Sequence, residues 1–175
     1  MKKKNYKKIG ILGGSFDPPH YGHVEISKIA IKKFKLKKVI WIATKKNPLK
    51  TNAKYNLKTR IDLSKKILKK QKKIISISTN KILSSKNTYN LLKYLKNKHK
   101  KVKFVFLMGA DNLINLHKWN KWKKIPTMAK IAVFSRPTFS KRALQSVASK
   151  KLGKKDWIYV NFTKLNISSS KIKKI

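Results

Sequence analysis

Cysteine is absent from the 175 residues. That excludes disulfides and thiolate metal sites, and it fits a reducing, cytoplasmic compartment. Acidic residues are few: five Asp and Glu stand against 47 Lys and Arg, for a formal net charge of +42. So few carboxylates leave little from which to build a protein cage for Mg²⁺. Arginine is scarce too. Only Arg60, Arg136 and Arg142 occur, and the other 44 basic residues are lysine. Readout of nucleic acid favours the planar arginine fork. Lysine dominance, with Asn and Ile also abundant, therefore reads as the drift of an A+T-rich coding sequence and not as a surface for specific nucleic acid. The field still attracts polyanions and steers anionic substrates inward at low salt. No window approaches 18 consecutive apolar residues, so no membrane helix is expected. The basic start Met1-Lys2-Lys3-Lys4 is followed only by Ile9–Leu12 before Asp17 and Pro18, too short a run for a signal peptide.

Hydrophobic residues make up 41% and aromatics 10%, enough for a core despite 30% charged residues. The length suits one domain spanning residues 1–175. No internal repeat or linker is visible. Apolar runs recur at Ile9–Leu12, Val39–Ala43, Ile74–Ile77, Val102–Met108, Ile131–Phe134 and Trp157–Val160. Between them lie helix-period stripes: Ile26, Ile29, Ala30 and Phe34; Leu57, Ile61, Ser64 and Leu68; Leu91, Leu92 and Leu95. Strands apolar on both faces and alternating with helices predict an α/β fold, a Rossmann-like doubly wound parallel sheet. Ligands of such sheets bind at the carboxyl ends of the strands, near the switch point.

The stretch Gly13-Gly14-Ser15-Phe16-Asp17-Pro18-Pro19-His20-Tyr21-Gly22-His23 stands at such an end, after the first strand and before a helix expected over Val24–Phe34. Glycines there let the backbone approach a ligand, and the prolines fix the turn. His20 and His23, three apart, share a face on the first helical turn, with Gly22 leaving that face open. Backbone N–H groups, a helix N-terminus and two imidazoles suit one phosphate. Gly109-Ala110-Asp111 repeats the theme after the fourth strand, where Asp111 also suits a helix N-cap. Trp119 and Trp122 suit either a core or a ligand site. Asn87 suits the N-cap of the helix that carries Thr88.

These residues resemble the G-x-F-D-P-x-H-x-G-H signature of nucleotidyltransferases related to class I aminoacyl-tRNA synthetases. Within that superfamily the chain is similar to the nicotinate-nucleotide adenylyltransferase family, from about Lys8 to Lys173. The resemblance implies transfer of AMP from ATP to nicotinate mononucleotide, giving nicotinate adenine dinucleotide and pyrophosphate. It implies His20 and His23 as the catalytic pair. It implies ATP contacts at Gly13, Gly14, Ser15, Phe16, Lys50, Arg136, Ser168, Ser169, Ser170 and Lys173, with Arg136 against the adenine face. Thr88, Gly109, Asp111 and Trp119 would meet nicotinate mononucleotide, Trp119 by stacking beside the nicotinate ring. Mg²⁺ would arrive on the triphosphate, with no metal held by protein ligands. The chain departs from the family at Asn80, Lys81, Lys86 and Asn87, and carries Ser170 for threonine and Lys173 for arginine. Members usually continue into a terminal helix, so the chain reads as short at Ile175. The rival readings are another small-molecule adenylyl- or cytidylyltransferase, such as a phosphopantetheine adenylyltransferase, and a basic nucleic-acid-binding protein. The second would need arginine clusters or stacking platforms, and neither is found.

Overall fold

Each of the six apolar runs forms a strand: β1 (Lys7–Gly14), β2 (Lys38–Ala43), β3 (Ile74–Ser78), β4 (Val102–Gly109), β5 (Lys130–Phe134) and β6 (Trp157–Val160). The computed structural model describes residues 6–44, 53–78 and 87–161. The strands join in one parallel sheet of order β3-β2-β1-β4-β5-β6. The first three strands step outward to one edge. The chain then returns to lay β4 against the far side of β1, and β5 and β6 complete the other edge. The β1–β4 junction is the switch point, where the connections diverge and open a crevice at the carboxyl ends.

Alternation along the strands sorts the two faces. Leu12, Val39, Trp41, Val105, Leu107, Ala132 and Phe134 face one layer, with Val24, Ile26 and Ala30 of helix α1 (Tyr21–Phe34) and Leu68 of α2 (Leu57–Leu68). Ile11, Ile42, Phe104, Phe106, Met108, Ile131 and Val133 face the other. That layer holds Leu91, Leu92 and Leu95 of α3 (Thr88–Lys98), Leu113 of α4 (Ala110–Asn115), Ala143 of α5 (Ser140–Leu144) and Ala148 of α6 (Val147–Lys151). Both faces are covered, which is why the strands read as continuous apolar runs. Gly10 shows how closely the layers meet: a Cβ there would lie 2.8 Å from the Leu36 side chain and 2.9 Å from that of Val39.

Helices that return antiparallel to the strands bring their N-termini back to the carboxyl edge of the sheet. The starts of α1, α2, α3 and α4 therefore gather on the side where β1 and β4 end. Each contributes unpaired N–H groups and a partial positive charge. The sheet topology alone makes this edge a place for anions. None of the described helices is long and apolar enough to cross a membrane.

Candidate active site

The loop from β1 to α1 is held from within. Asp17 is buried, and its carboxylate accepts the backbone N–H groups of Lys54, at 2.8 Å, and Tyr55, at 3.0 Å. Arg60, on α2 and only 2% exposed, reaches the other way. Its Nη1 donates to the carbonyls of Ser15 at 2.6 Å and Thr44 at 2.9 Å, and its Nε donates to that of Tyr55 at 3.1 Å. Burial draws the Arg60 pKa below the ordinary arginine value, and the Asp17 charge pushes back. Phe16 lies between these anchors with φ +47°, a left-handed conformation for a bulky residue. Such a backbone costs about 1–3 kcal/mol. Burying the ring, stacked on Trp41 at 4.9 Å, offsets a similar amount.

Helix α1 begins three residues before the expected start at Val24, because His20 is its N-cap. His20 has extended backbone angles, so it lies just outside the helix, while His23 is the third helical residue. The two imidazoles still meet, with centroids 3.8 Å apart. The His20 N–H donates to His23 Nδ1 at 3.2 Å, and the His23 N–H donates to the His20 carbonyl at 3.0 Å. With Nδ1 accepting, the His23 ring proton resides on Nε2, which makes that nitrogen a donor. Gly22, between the two histidines, is buried. Behind His23, Trp41 Nε1 donates to Ser27 Oγ at 2.8 Å, and Ser27 Oγ donates to the His23 carbonyl at 2.8 Å. The first turn of α1 is thus pinned to β2.

Gly13 and Gly14 form the end of β1. Neither has a positive φ. A Cβ on Gly13 would meet only the Phe106 ring at 3.5 Å, and one on Gly14 only the Phe16 ring at 3.5 Å. These are ordinary contacts, so the protein's own packing does not demand glycine at either position. Across the switch point, Gly109 differs. A Cβ there would collide with the Asp111 carboxylate and lie 3.2 Å from Arg136 Nε. Gly109, not Asp111, is the N-cap of α4, and Asp111 occupies the first turn, where its charge favours the helix end. Arg136, following β5, places Nη1 3.4 Å from Asp111 Oδ2. Asp111 Oδ1 is buried and has no hydrogen-bond partner among the described residues.

Trp119 meets Phe106 edge-on at 6.2 Å, so Phe106 lies between it and the Gly13 position. Trp122 packs against the core. Thr88 opens α3, with Asn87 as the N-cap accepting the Asn90 N–H at 2.9 Å. Ser15 is half-buried beside the anchored loop. Phe16 keeps only 1% of its surface exposed, which leaves its backbone, not its ring, for any ATP contact. Lys50, Ser168, Ser169, Ser170 and Lys173, with Asn80, Lys81 and Lys86, lie outside the described residues. The structure thus brings His20, His23, Gly13 and Gly14 to one side of the switch point and Gly109, Asp111 and Arg136 to the other. Sequence reasoning missed Arg60 and Asp17 as the clamp behind the site. The available signal was an arginine standing where nearly every other cation is lysine.

Among the described residues no cluster of three or more His, Cys, Asp or Glu could hold a metal. Asp17 is engaged by two N–H groups and Asp111 by Arg136.

A doubly wound parallel sheet with a His-x-Gly-His pair at the first helix start, facing a Gly-x-Asp turn across the switch point, defines the nucleotidyltransferase class. Residues 11–175 match the cytidylyltransferase-like family. A protein of Pelagibacter ubique (strain HTCC1062) named "Probable nicotinate-nucleotide adenylyltransferase" is 49% identical over 169 residues, covering 96% of this chain and 93% of that one. A protein of the same name from Bradyrhizobium sp. (strain ORS 278) is 34% identical over 180 residues, covering 93% of each. In fold, the chain is similar to the Plasmodium falciparum nicotinic acid mononucleotide adenylyltransferase complexed with NaAD. The TM-score is 0.78 at 24% identity, over 97% of this chain and 83% of that one. The chain belongs to the nicotinate-nucleotide adenylyltransferase family of the cytidylyltransferase-like nucleotidyltransferases.

Proposed function

We propose that this enzyme transfers AMP from ATP to nicotinate mononucleotide, releasing pyrophosphate and forming nicotinate adenine dinucleotide for NAD biosynthesis. The observation that carries the reading is the His20–His23 pair beside Gly13–Gly14, facing Asp111 and Arg136 across the β1–β4 junction. A phosphate oxygen of the mononucleotide attacks the α-phosphorus of ATP in line, and the bond from the α-phosphorus to the bridging oxygen breaks. The electron pair leaves with pyrophosphate. No protein nucleophile is needed, so catalysis is positioning plus charge stabilisation. His23 Nε2–H and the His20 ring meet the charge that develops on the phosphates. The free N–H groups of α1 add to it. Asp111 Oδ1 accepts a sugar hydroxyl, and Arg136 lies flat on adenine. Lys50, Ser168, Ser169, Ser170 and Lys173 hold the outer phosphates, and Mg²⁺ enters as part of the substrate.

Thr88 and the first N–H groups of α3 are donors, which suits the ring carboxylate of nicotinate mononucleotide over the amide of the nicotinamide form. The amide would turn its own N–H₂ toward them and leave donors unpaired, a mismatch with large discrimination. Trp119 stacks beside the pyridine ring. The enzyme works in the cytoplasm, with no specific nucleic acid as partner. The test is pyrophosphate release from MgATP, with the dinucleotide identified by mass. Release that depends on nicotinate mononucleotide, with kcat/KM at least tenfold above that for the amide, is expected. Equal values would remove the acid preference. Release only with a different acceptor, or only with CTP, would replace the assignment by another of the superfamily.

A further inference from the structure

Arg60 combines three properties that a surface cation lacks. It is 2% exposed, it donates to carbonyls from three separate segments, and it is one of three arginines among 44 lysines. Where composition drifts so far toward lysine, an arginine marks a position that lysine serves badly. An ammonium is a strongly hydrated point charge, whereas a guanidinium holds planar, fixed donors at lower desolvation cost. The bond to the Ser15 carbonyl is the short one, at 2.6 Å. The Ser15–Phe16 peptide is trans, so its N–H points opposite to its C=O. With the carbonyl turned onto Arg60, the Phe16 N–H is turned to the side away from it. None of the described hydrogen bonds uses that N–H. Asp17, two residues along the chain from Ser15, closes the clamp in the reverse direction through the Lys54 and Tyr55 N–H groups.

We infer that Arg60 is a positioning residue for the transfer reaction: it locks the Ser15–Phe16 peptide so that the Phe16 N–H faces a substrate phosphate. This rests on the reading of the crevice as a nucleotide site. Arg60 does not touch substrate. It fixes the loop that does, and misplacing such a group by about 1 Å costs on the order of 100-fold in rate.

The experiment compares wild type, Arg60→Lys and Ser64→Ala. Ser64 lies on the same helix, is fully buried and donates only to the Arg60 backbone carbonyl, at 2.7 Å. It therefore reports loss of α2 stability without loss of the guanidinium. Assays run below each variant's unfolding temperature. Arg60→Lys is expected to lower kcat about 10- to 100-fold, with the KM for nicotinate mononucleotide within about threefold of wild type. Ser64→Ala is expected to lower Tm yet keep kcat within about twofold. In ¹H–¹⁵N spectra, the Phe16 amide of wild type should shift on addition of MgATP, and that response should disappear in Arg60→Lys. If Arg60→Lys does not fold, Arg60→Gln, which keeps a planar N–H₂ donor, takes its place. The inference is overturned by a folded Arg60 variant with kcat within twofold of wild type. It is overturned equally by a wild-type Phe16 amide indifferent to MgATP, or by a Ser64→Ala variant as slow as Arg60→Lys. Absence of any pyrophosphate release by wild type would instead overturn the functional reading, and the MgATP titration would still decide the role of Arg60.

Discussion

The glycines at the ends of β1 and β4 look alike in the sequence and behave differently in the structure. Gly109 is required by its own neighbours, since any Cβ there strikes the carboxylate of Asp111. Gly13 is not, since a Cβ there meets one aromatic ring at van der Waals distance. Gly109→Ala should therefore displace Asp111 from Arg136, lowering both Tm and kcat/KM, the latter by at least tenfold. Gly13→Ala should leave Tm within about 2 °C and raise the KM for ATP, because only a ligand approaching β1 would feel the methyl. If both variants lose stability equally, the distinction between packing and ligand approach is void. The histidines carry the sharper expectation. His23→Ala removes an Nε2–H donor, and His20→Ala removes the tilted ring whose centroid lies 3.8 Å from that of His23. Each should lower kcat by roughly 100- to 1,000-fold with a smaller change in KM, as loss of a transition-state donor does. A double alanine variant at full rate would remove the pair from the mechanism. The histidines, the glycines and Asp111 were legible because their residue types are rare and their spacing is strict. Arg60 was marked only by being one of three arginines among 47 cations, and that rarity does not show that it is buried or which carbonyls it meets.

The helices depend on contacts that the sequence does not display. Trp41, Ser27 and His23 form a chain of hydrogen bonds across 18 positions of sequence, from β2 through α1 to the turn that holds His20 and His23. Ser27→Ala strands the indole N–H of a fully buried tryptophan. The cost of one such unsatisfied donor is about 1–3 kcal/mol, and each kcal/mol corresponds to roughly 2–4 °C for a chain of this size. A fall of at least about 2 °C in Tm is therefore expected by calorimetry, despite alanine's better helix propensity. An unchanged Tm would mean that the N–H finds another partner. The six strands could be read from sequence because burial on both faces removes the alternation that blurs other sheets. Their order could be read only as a class. The start of α1 was missed by three residues because the helix was expected only from Val24, the first apolar residue after the turn, while it begins where His20 and His23 cap each other's backbone. A histidine N-cap carries none of the usual Ser, Thr, Asp or Asn signal. Asn87 does carry it, and the start of α3 fell where expected.

The whole molecule is set by its charge. Its five acids are each engaged among the described residues: Glu25 with Lys28 at 3.0 Å, Asp62 with Lys65 at 3.9 Å, Asp111 with Arg136, Asp17 with two backbone N–H groups and Asp156 with the Gly153 N–H. Almost nothing offsets the remaining lysines, and a net charge of +42 repels itself in the compact state. Screening relieves that repulsion. The Debye length falls from about 30 Å at 0.01 M salt to about 10 Å at 0.1 M. Stability should accordingly rise with NaCl between those concentrations, by at least about 2–4 °C in Tm, the equivalent of roughly 1 kcal/mol. The same salt weakens the field that draws ATP and nicotinate mononucleotide inward, so KM for both should rise over the same range. The two effects oppose each other, and activity near the unfolding temperature should pass through a maximum in ionic strength. Well below that temperature only the KM effect remains, and kcat/KM should fall monotonically. DNA should also bind in this regime, by counterion release alone, with a steep salt slope and equal affinity for unrelated sequences. The measurement is Tm, kcat/KM and duplex binding on one salt series. A Tm that falls with salt would show that the lysines are locally paired rather than mutually repelling. Discrimination between duplexes near 0.15 M salt would show that the charge serves recognition, against the scarcity of arginine from which the opposite was argued.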